Sequence, residues 1–214
     1  MNCAFSLYIC SCQWMAGAIQ YDVMMCQILC IIIFCDIVHN YCDMMHNYMG
    51  ESELFMILVS SCLLGNNVKY SGGNNGHELL MKYRQYLTAV CPECLGELPI
   101  PRPPAELQGG DGHAVLAGRA KVCNKEDLDV TGHFLQGAKL ALDMAQKHSV
   151  KIAILKANSP SCGNVQIYSG RFDGEKIPGA GVAAALLMEN GIKVYSEQEI
   201  DEDLLKRLIA EDRG

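Results

Sequence analysis

Residues 56–214 predict an α/β fold, a three-layer sandwich around a mainly parallel sheet, and three observations carry that expectation. Short apolar runs recur at 56–60, 86–90, 151–155 and 191–195. Helical stretches lie between or beside them, at 77–86, 131–148 and 181–189. Glycine, asparagine or proline punctuates the joins. Strands buried on both faces of a parallel sheet read as continuous apolar runs, and their alternation with helices is the pattern of a sheet covered on both sides.

The first strand, Met56 to Ser60, is stopped by Gly65-Asn66-Asn67. His77 to Tyr86 reads as a helix. Tyr86 to Val90 is a second strand rich in β-formers, halted by Cys91-Pro92, since proline has no N–H to give a ladder. Leu98 to Pro104 carries four prolines, which remove four donors and fix four φ angles, so it is an extended connector. Thr131 is placed to cap a helix running to about His148, with Phe134, Ala138, Ala141 and Ala145 on one face, and Lys151 to Leu155 is the third strand. Gln166 to Gly174 reads as a hairpin or tight excursion punctuated by glycines. An Ala-rich helix from about Gly181 to Glu189, closed by Gly191, leads into a fourth strand ending at Tyr195. Ser196 and Glu199 have capping-box spacing for a last helix through Leu204, Leu205, Leu208 and Ile209.

The 214 residues include 24 acids and 17 bases, a formal charge of −7, with half the residues hydrophobic. That balance excludes disorder and lacks the basic footprint of a protein that grips nucleic acid by its phosphates. A small, neutral ligand suits such a surface better. The composition changes at about residue 50. Residues 1–50 hold seven of the twelve cysteines, seven of the eleven methionines and no lysine or arginine, whereas the remaining 164 carry 21 acids and 17 bases, a net of 17 − 21 = −4.

Residues 1–55 are therefore expected to be an atypical extension, with residues 1–48 a misassigned start and Met49 or Met56 the natural one, or else a loosely folded arm. The run from Ile28 to Val38 is shorter than the roughly 20 apolar residues of a membrane helix, and no base precedes it as a secretory signal would require. Cys26, Cys30, Cys35 and Cys42, with His39 and His46, match none of the ligand spacings of zinc fingers, ribbons or ferredoxins. No chemistry is assigned to this part. Residues 56–214 are the functional domain, and cytoplasm is the expected compartment, because unpaired thiols need a reducing one.

Three cysteines stand in equivalent places. Cys62 follows the first strand, Cys91 the second, and Cys162 lies a few residues beyond the third. Ligands of open parallel sheets sit outside the carboxyl ends of the strands, so these three are placed to converge there. Three convergent thiolates favour iron–sulfur or zinc over magnesium or calcium. Taken singly, each reads as a buried small hydrophobe. Cys91 and Cys94 also form a CxxC, readable as a redox pair or half a zinc site, while Cys94 and Cys123 are read as structural. Ser159 to Gly163 (SPSCG) is a hydroxyl-rich turn that suits contact with a ligand or simple loop capping. Glu93 reads as a general acid or base, or as a first-turn glutamate favoured by the helix dipole. A zinc hydrolase would need a further ligand, for which His113 and His133 are the candidates.

Five segments together resemble the thiouracil desulfidase family: Ile57 to Gly65 (ILVSSCLLG), Cys91-Pro92-Glu93, Pro101 to Glu106 (PRPPAE), Asp129-Val130-Thr131, and Ile154-Leu155-Lys156 with the SPSCG turn. Their order and approximate spacing agree from about Met56 to Glu197. The resemblance implies a [4Fe-4S] cluster held by three cysteines, mapping onto Cys62, Cys91 and Cys162, with the fourth iron open to substrate sulfur. It places the catalytic glutamate and serine on Glu93 and Ser159. The implied reaction is hydrolytic desulfuration of a thiolated pyrimidine, thiouracil to uracil plus sulfide; the acidic balance and the absence of a basic stripe favour a free base or nucleoside over a nucleic acid polymer, and no membrane is expected. Cys94 departs from the family pattern, where an apolar residue follows the Cys-Pro-Glu, and residues 1–50 have no counterpart in it. The competing class is a non-enzymatic iron–sulfur redox or iron sensor using the same three cysteines, which would not require Glu93 and Ser159 beside an open iron.

Overall fold

A computed structural model of the chain describes residues 57–212. The expectations for residues 1–55, including the start at Met49 or Met56 and the Cys26, Cys30, Cys35, Cys42, His39 and His46 set, lie outside the described residues.

Four strands form the main sheet: β1 (Ile57–Ser60), β2 (Leu87–Val90), β5 (Ile152–Leu155) and β8 (Lys193–Ser196). Their order is β2-β1-β5-β8 and every pairing is parallel. Between β1 and β5 the order reverses direction, which makes that boundary the topological switch point where ligands bind in such sheets.

The two-residue period of the strands divides the core. Ile57, Val59, Ile152 and Ile154 face one side, where Leu80 of α1 (Glu78–Lys82) and Leu205, Leu208 and Ile209 of α6 (Glu202–Asp212) cover them. Leu58, Ala153 and Leu155 face the other, under Ala141, Leu142 and Ala145 of α4 (Thr131–Lys147) and Ala184, Ala185 and Leu187 of α5 (Val182–Glu189). Helices on both faces give the three layers that the sequence predicts.

A third hydrophobic cluster joins the sandwich to two small antiparallel ribbons, β3 (Ala105–Gln108) with β4 (Lys121–Asn124) and β6 (Gln166–Tyr168) with β7 (Lys176–Pro178). It packs Leu107, Val122 and Ile167 around Phe134, Ala138 and Val182. The β6–β7 ribbon realises the expected excursion after β5. The β3–β4 ribbon and the α3 turn between its strands (Gly112–Leu116) had no counterpart in the sequence pattern. Glu, Gln, Lys and Asn are poor strand formers, and here pairing and tertiary contact override that preference.

Local boundaries move for identifiable reasons. The helix expected over 77–86 is α1 followed by a 3-10 turn, Arg84–Tyr86. Thr131 is the first helical residue rather than the cap: its N–H donates to Asp129 Oδ1 at 2.9 Å, and its Oγ1 accepts from Val122 N–H at 2.9 Å, tying α4 to β4. The Ser196/Glu199 capping box forms, but it closes a 3-10 turn, Glu197–Glu199. Asp201 Oδ1 then accepts from Leu204 N–H at 2.7 Å at the start of α6.

Candidate active site

Each strand-end cysteine is held by a different local device. After β1 the chain tightens into a 3-10 turn, Ser61–Leu64, that only a left-handed residue can close, and Gly65 at φ 83° does so. The Cys62 carbonyl accepts from Asn75 N–H at 2.9 Å, and Asn75 Nδ2 donates to Cys62 Sγ at 3.5 Å. Loop 66–76 is thereby tied to the first thiol.

Cys91 is extended (φ −130°, ψ 99°) ahead of the short helix α2 (Pro92–Leu95), where Pro92 occupies the first turn that tolerates a missing N–H. Two glycines seat α2 on α4 backbone to backbone. A Cβ at Gly96 would lie 2.0 Å from His133 O, and one at Gly137 would lie 1.9 Å from Pro92 O.

Cys162 sits in the Ser159–Gly163 turn. Ser159 Oγ accepts from the N–H groups of Ser161 and Cys162, both at 3.2 Å, and Gly163 N–H donates to Ser159 O at 2.9 Å. The first turn of α5 would leave N–H groups orphaned. Instead Val182 donates to Pro160 O at 3.0 Å and Ala183 to Ser161 O at 2.9 Å. Gly181 permits this approach, since a Cβ there would lie 2.5 Å from the Ser161 carbonyl carbon.

The three thiols line one cleft of about 270 Å³ outside the carboxyl ends of β1, β2 and β5, together with Glu93, Ser159, Arg102 and Lys156. Burial pushes the Cys62 thiol up, against the Asn75 hydrogen bond and the Lys156 charge. It pushes Cys91 up as well, with Cys162 and Cys94 adding to the rise. It pushes Cys162 up to about 12, opposed by a Ser60 hydrogen bond and reinforced by Cys62 and Glu93. Cys162 thus lies in the field of Cys62, and Cys91 in that of Cys162, all as neutral thiols. A soft cation bound among them would convert them to thiolates and replace the lost hydration, so this donor set fits an iron–sulfur or other thiophilic centre. Among the described residues no set of three Cys, His, Asp or Glu side chains is closed tightly enough for a single ion. His113 Nδ1 pairs with Glu189 Oε1 at 2.7 Å on the surface, and His133 Nδ1 meets Gly96 O at 2.7 Å, so neither histidine completes a zinc site with the thiols.

Glu93 reaches the cleft from α2 and is paired with Arg102, whose Nε and Nη2 each lie 2.8 Å from Glu93 Oε2. Lys156 Nζ is paired with Glu197 and bonds Ala157 O at 3.3 Å, while Glu197 Oε2 accepts from Ala157 N–H at 2.7 Å. Arg102, Asn75, Lys156 and Glu197 are functional candidates that the strand-end argument does not reach. Arg102 had one available signal, a lone cation among four prolines; Glu197 had none. Cys94 is half-buried beside Cys91 and does not line the cleft, and Cys123 is buried in β4 opposite Glu106. Glu106 is itself buried, its Oε2 accepting from the N–H groups of Gly170 and Phe172 at 2.9 and 3.0 Å.

A doubly wound α/β domain with a cleft at its switch point lined by three thiols and a carboxylate defines the class: an enzyme-type fold whose donor set fits a thiophilic centre. A family model described as 2-thiouracil desulfurase matches residues 57–199, and the chain belongs to that family of enzymes. It is 46% identical over 151 residues to an uncharacterized protein, YbbK, of Bacillus subtilis (strain 168), covering 70% of this chain and all of that one. Among solved structures it resembles TudS, a [4Fe-4S]-dependent thiouracil desulfidase, with 41% identity and a TM-score of 0.62 over 71% of this chain and 97% of that one. No helix among the described residues is long and apolar enough to cross a membrane.

Proposed function

We propose that residues 56–214 are a [4Fe-4S]-dependent desulfidase that hydrolyses thiolated pyrimidines, thiouracil plus water giving uracil plus sulfide. The observation that carries this reading is the meeting of Cys62, Cys91 and Cys162 in one cleft with Glu93. Those three thiols are the proposed ligands, which leaves the fourth iron open. When bound, such a cluster supplies a soft Lewis acid that prefers a thiocarbonyl sulfur to a carbonyl oxygen.

The chain's own residues supply the rest. Arg102 occupies Glu93 Oε2, leaving Oε1 outside the pair to take a proton from a water attacking the ring carbon. The new C–O bond replaces the C–S bond, the sulfur leaves as sulfide, and no electron donor is consumed. Ser159 Oγ already accepts two backbone N–H groups, so its own hydrogen is free to be donated to the ring or the leaving sulfur. At about 270 Å³ the cleft lies just below the roughly 300–1,000 Å³ range of drug-sized ligand pockets, a scale that suits a small substrate such as a free base. The described cysteines are all free, as in a reducing compartment such as cytoplasm.

The test is anaerobic purification of the chain with iron and sulfide quantified, followed by 2-thiouracil. About four irons per chain with release of sulfide and uracil supports the reading. A cluster without turnover supports the sensor class instead, and zinc without iron overturns the cofactor.

A further inference from the structure

The outer wall of the cleft, loop 66–76, has no helix or strand to hold it. Asn75 ties one end of it to Cys62, and Arg102 ties the middle. The Arg102 side chain is only 6% exposed and divides its donors among three segments. Nε and Nη2 meet Glu93 Oε2, Nη2 also donates to Val68 O at 3.0 Å, and Nη1 donates to Pro99 O at 3.2 Å. Its own backbone N–H donates to Tyr70 O at 2.8 Å. Four prolines around it fix the backbone from which the guanidinium projects. Val68, Lys69 and Tyr70 line the same cleft as Glu93.

We propose that Arg102 is the positioning residue that couples the Val68–Tyr70 wall of the cleft to Glu93, so that docking of the wall and orientation of the carboxylate are one event. One rigid fork serves both, which a lysine's point charge would not do. Coupling of this kind is reciprocal: whatever frees the carboxylate must also loosen the wall. The consequence for catalysis rests on the desulfidase reading; the coupling itself stands on the geometry.

The test compares the iron-loaded full chain with Arg102→Met, Arg102→Lys, Glu93→Gln and the Arg102→Met/Glu93→Gln double variant, by hydrogen exchange and by sulfide release. The amides of Val68, Lys69 and Gly72, bonded within the loop, report on the wall. Exchange there rises in both Arg102→Met and Glu93→Gln, and in the double variant it rises no further than in Arg102→Met. Iron per chain stays unchanged. With 2-thiouracil, Arg102→Met lowers kcat by about 100-fold, the scale of a misplacement of about 1 Å, with little change in KM. Added guanidinium restores part of the rate, and the double variant is no slower than Glu93→Gln. Wild-type exchange at these amides in Glu93→Gln, or losses that add in the double variant, would overturn the proposal. If the wild-type chain releases no sulfide, the desulfidase reading fails and the exchange arm still decides the coupling. If Arg102→Met does not fold, Arg102→Lys carries the same comparison.

Discussion

Two walls of one cleft are bonded differently. The Cys162 wall is backbone on backbone: α5 spends its first N–H groups on the carbonyls of Pro160 and Ser161, and Gly181 removes the Cβ that would keep them apart. The 66–76 wall is tied by backbone and side chains together: Asn66 N–H and Asn75 N–H donate to Ser61 O and Cys62 O, Tyr70 O accepts from Arg102 N–H, and the Asn75 and Arg102 side chains reach Cys62 Sγ and Val68 O. The first arrangement has no room to adjust, because close-packed backbone is either seated or displaced. The second relies in part on side chains, whose rotamers can change. The difference teaches that one cleft can combine a wall seated backbone on backbone with a wall tied in part by side chains.

The hardest test of backbone-on-backbone contact, which also seats α2 beside Cys91, is to add a methyl where backbones touch. Gly137→Ala puts a carbon 1.9 Å from Pro92 O and must push α2, with Cys91 and Glu93, off α4. Overpacking costs of about 1–3 kcal/mol are usual in a side-chain core, and a clash between backbones belongs at or above the top of that range. A fall in Tm together with loss of bound iron is expected; an unchanged iron content would show that α2 does not depend on that seat. Next in size is the ligand set. Alanine at Cys62, Cys91 or Cys162 is expected to remove nearly all iron from anaerobically purified protein, while Cys94→Ser, outside the cleft, leaves it unchanged. Iron retained in Cys91→Ala but lost in Cys94→Ser would transfer the ligand role between the two.

How much of this was legible in the sequence follows from the same contrast. The apolar runs at 57–60 and 152–155 are buried on both faces and announce parallel strands by composition alone. Cysteines just past such runs inherit a position from topology, which is why Cys62, Cys91 and Cys162 could be placed at one edge without coordinates. Arg102 and Glu197 have no such address. Glu197 meets Lys156 across 41 residues, and nothing local distinguishes it from a solvated glutamate. The β3–β4 ribbon was hidden for a related reason: its strands are four residues long, half polar, and earn their conformation by pairing with each other and covering Phe134. The Ser196/Glu199 box was legible as a cap but not as the cap of a 3-10 turn, since the two begin alike.

The buried thiols give the rigid wall a pH signature in the iron-free protein. Cys162 is raised from 9.0 to about 12 by burial. Below pH 9 the thiol is neutral in both folded and unfolded chains, so its contribution is fully present. Above that, the unfolded chain ionises first, and stability is lost as pH climbs toward 12. One unit is worth about 1.4 kcal/mol, so the limiting loss is on the order of 4 kcal/mol. Urea unfolding of chelated protein at pH 8 and pH 10 measures the first part of that fall. Cys162→Ala should flatten the slope; an equally steep slope in the variant would assign the alkaline loss to other groups.

The smallest expected effect probes the adjustable wall at its thiol end. Asn75→Ala removes the amide that donates to Cys62 Sγ and leaves the Asn75 backbone bond to Cys62 O in place. A hydrogen bond to a charged acceptor contributes about 1.5–3 kcal/mol and a neutral one about 0.5–1.5. The bond would therefore matter more to a metal-bound thiolate, the state proposed for Cys62, than to a thiol. Donors to ligand sulfurs also raise a cluster's reduction potential, because they favour the more negative state. The variant should keep its iron on purification, lose it several-fold faster to a chelator, and show a lower potential, with the folded apo-protein scarcely destabilised. A variant whose apo-protein falls in stability as much as its iron retention would show that Asn75 serves the loop rather than the thiolate, and the two walls would then differ in bonding but not in purpose.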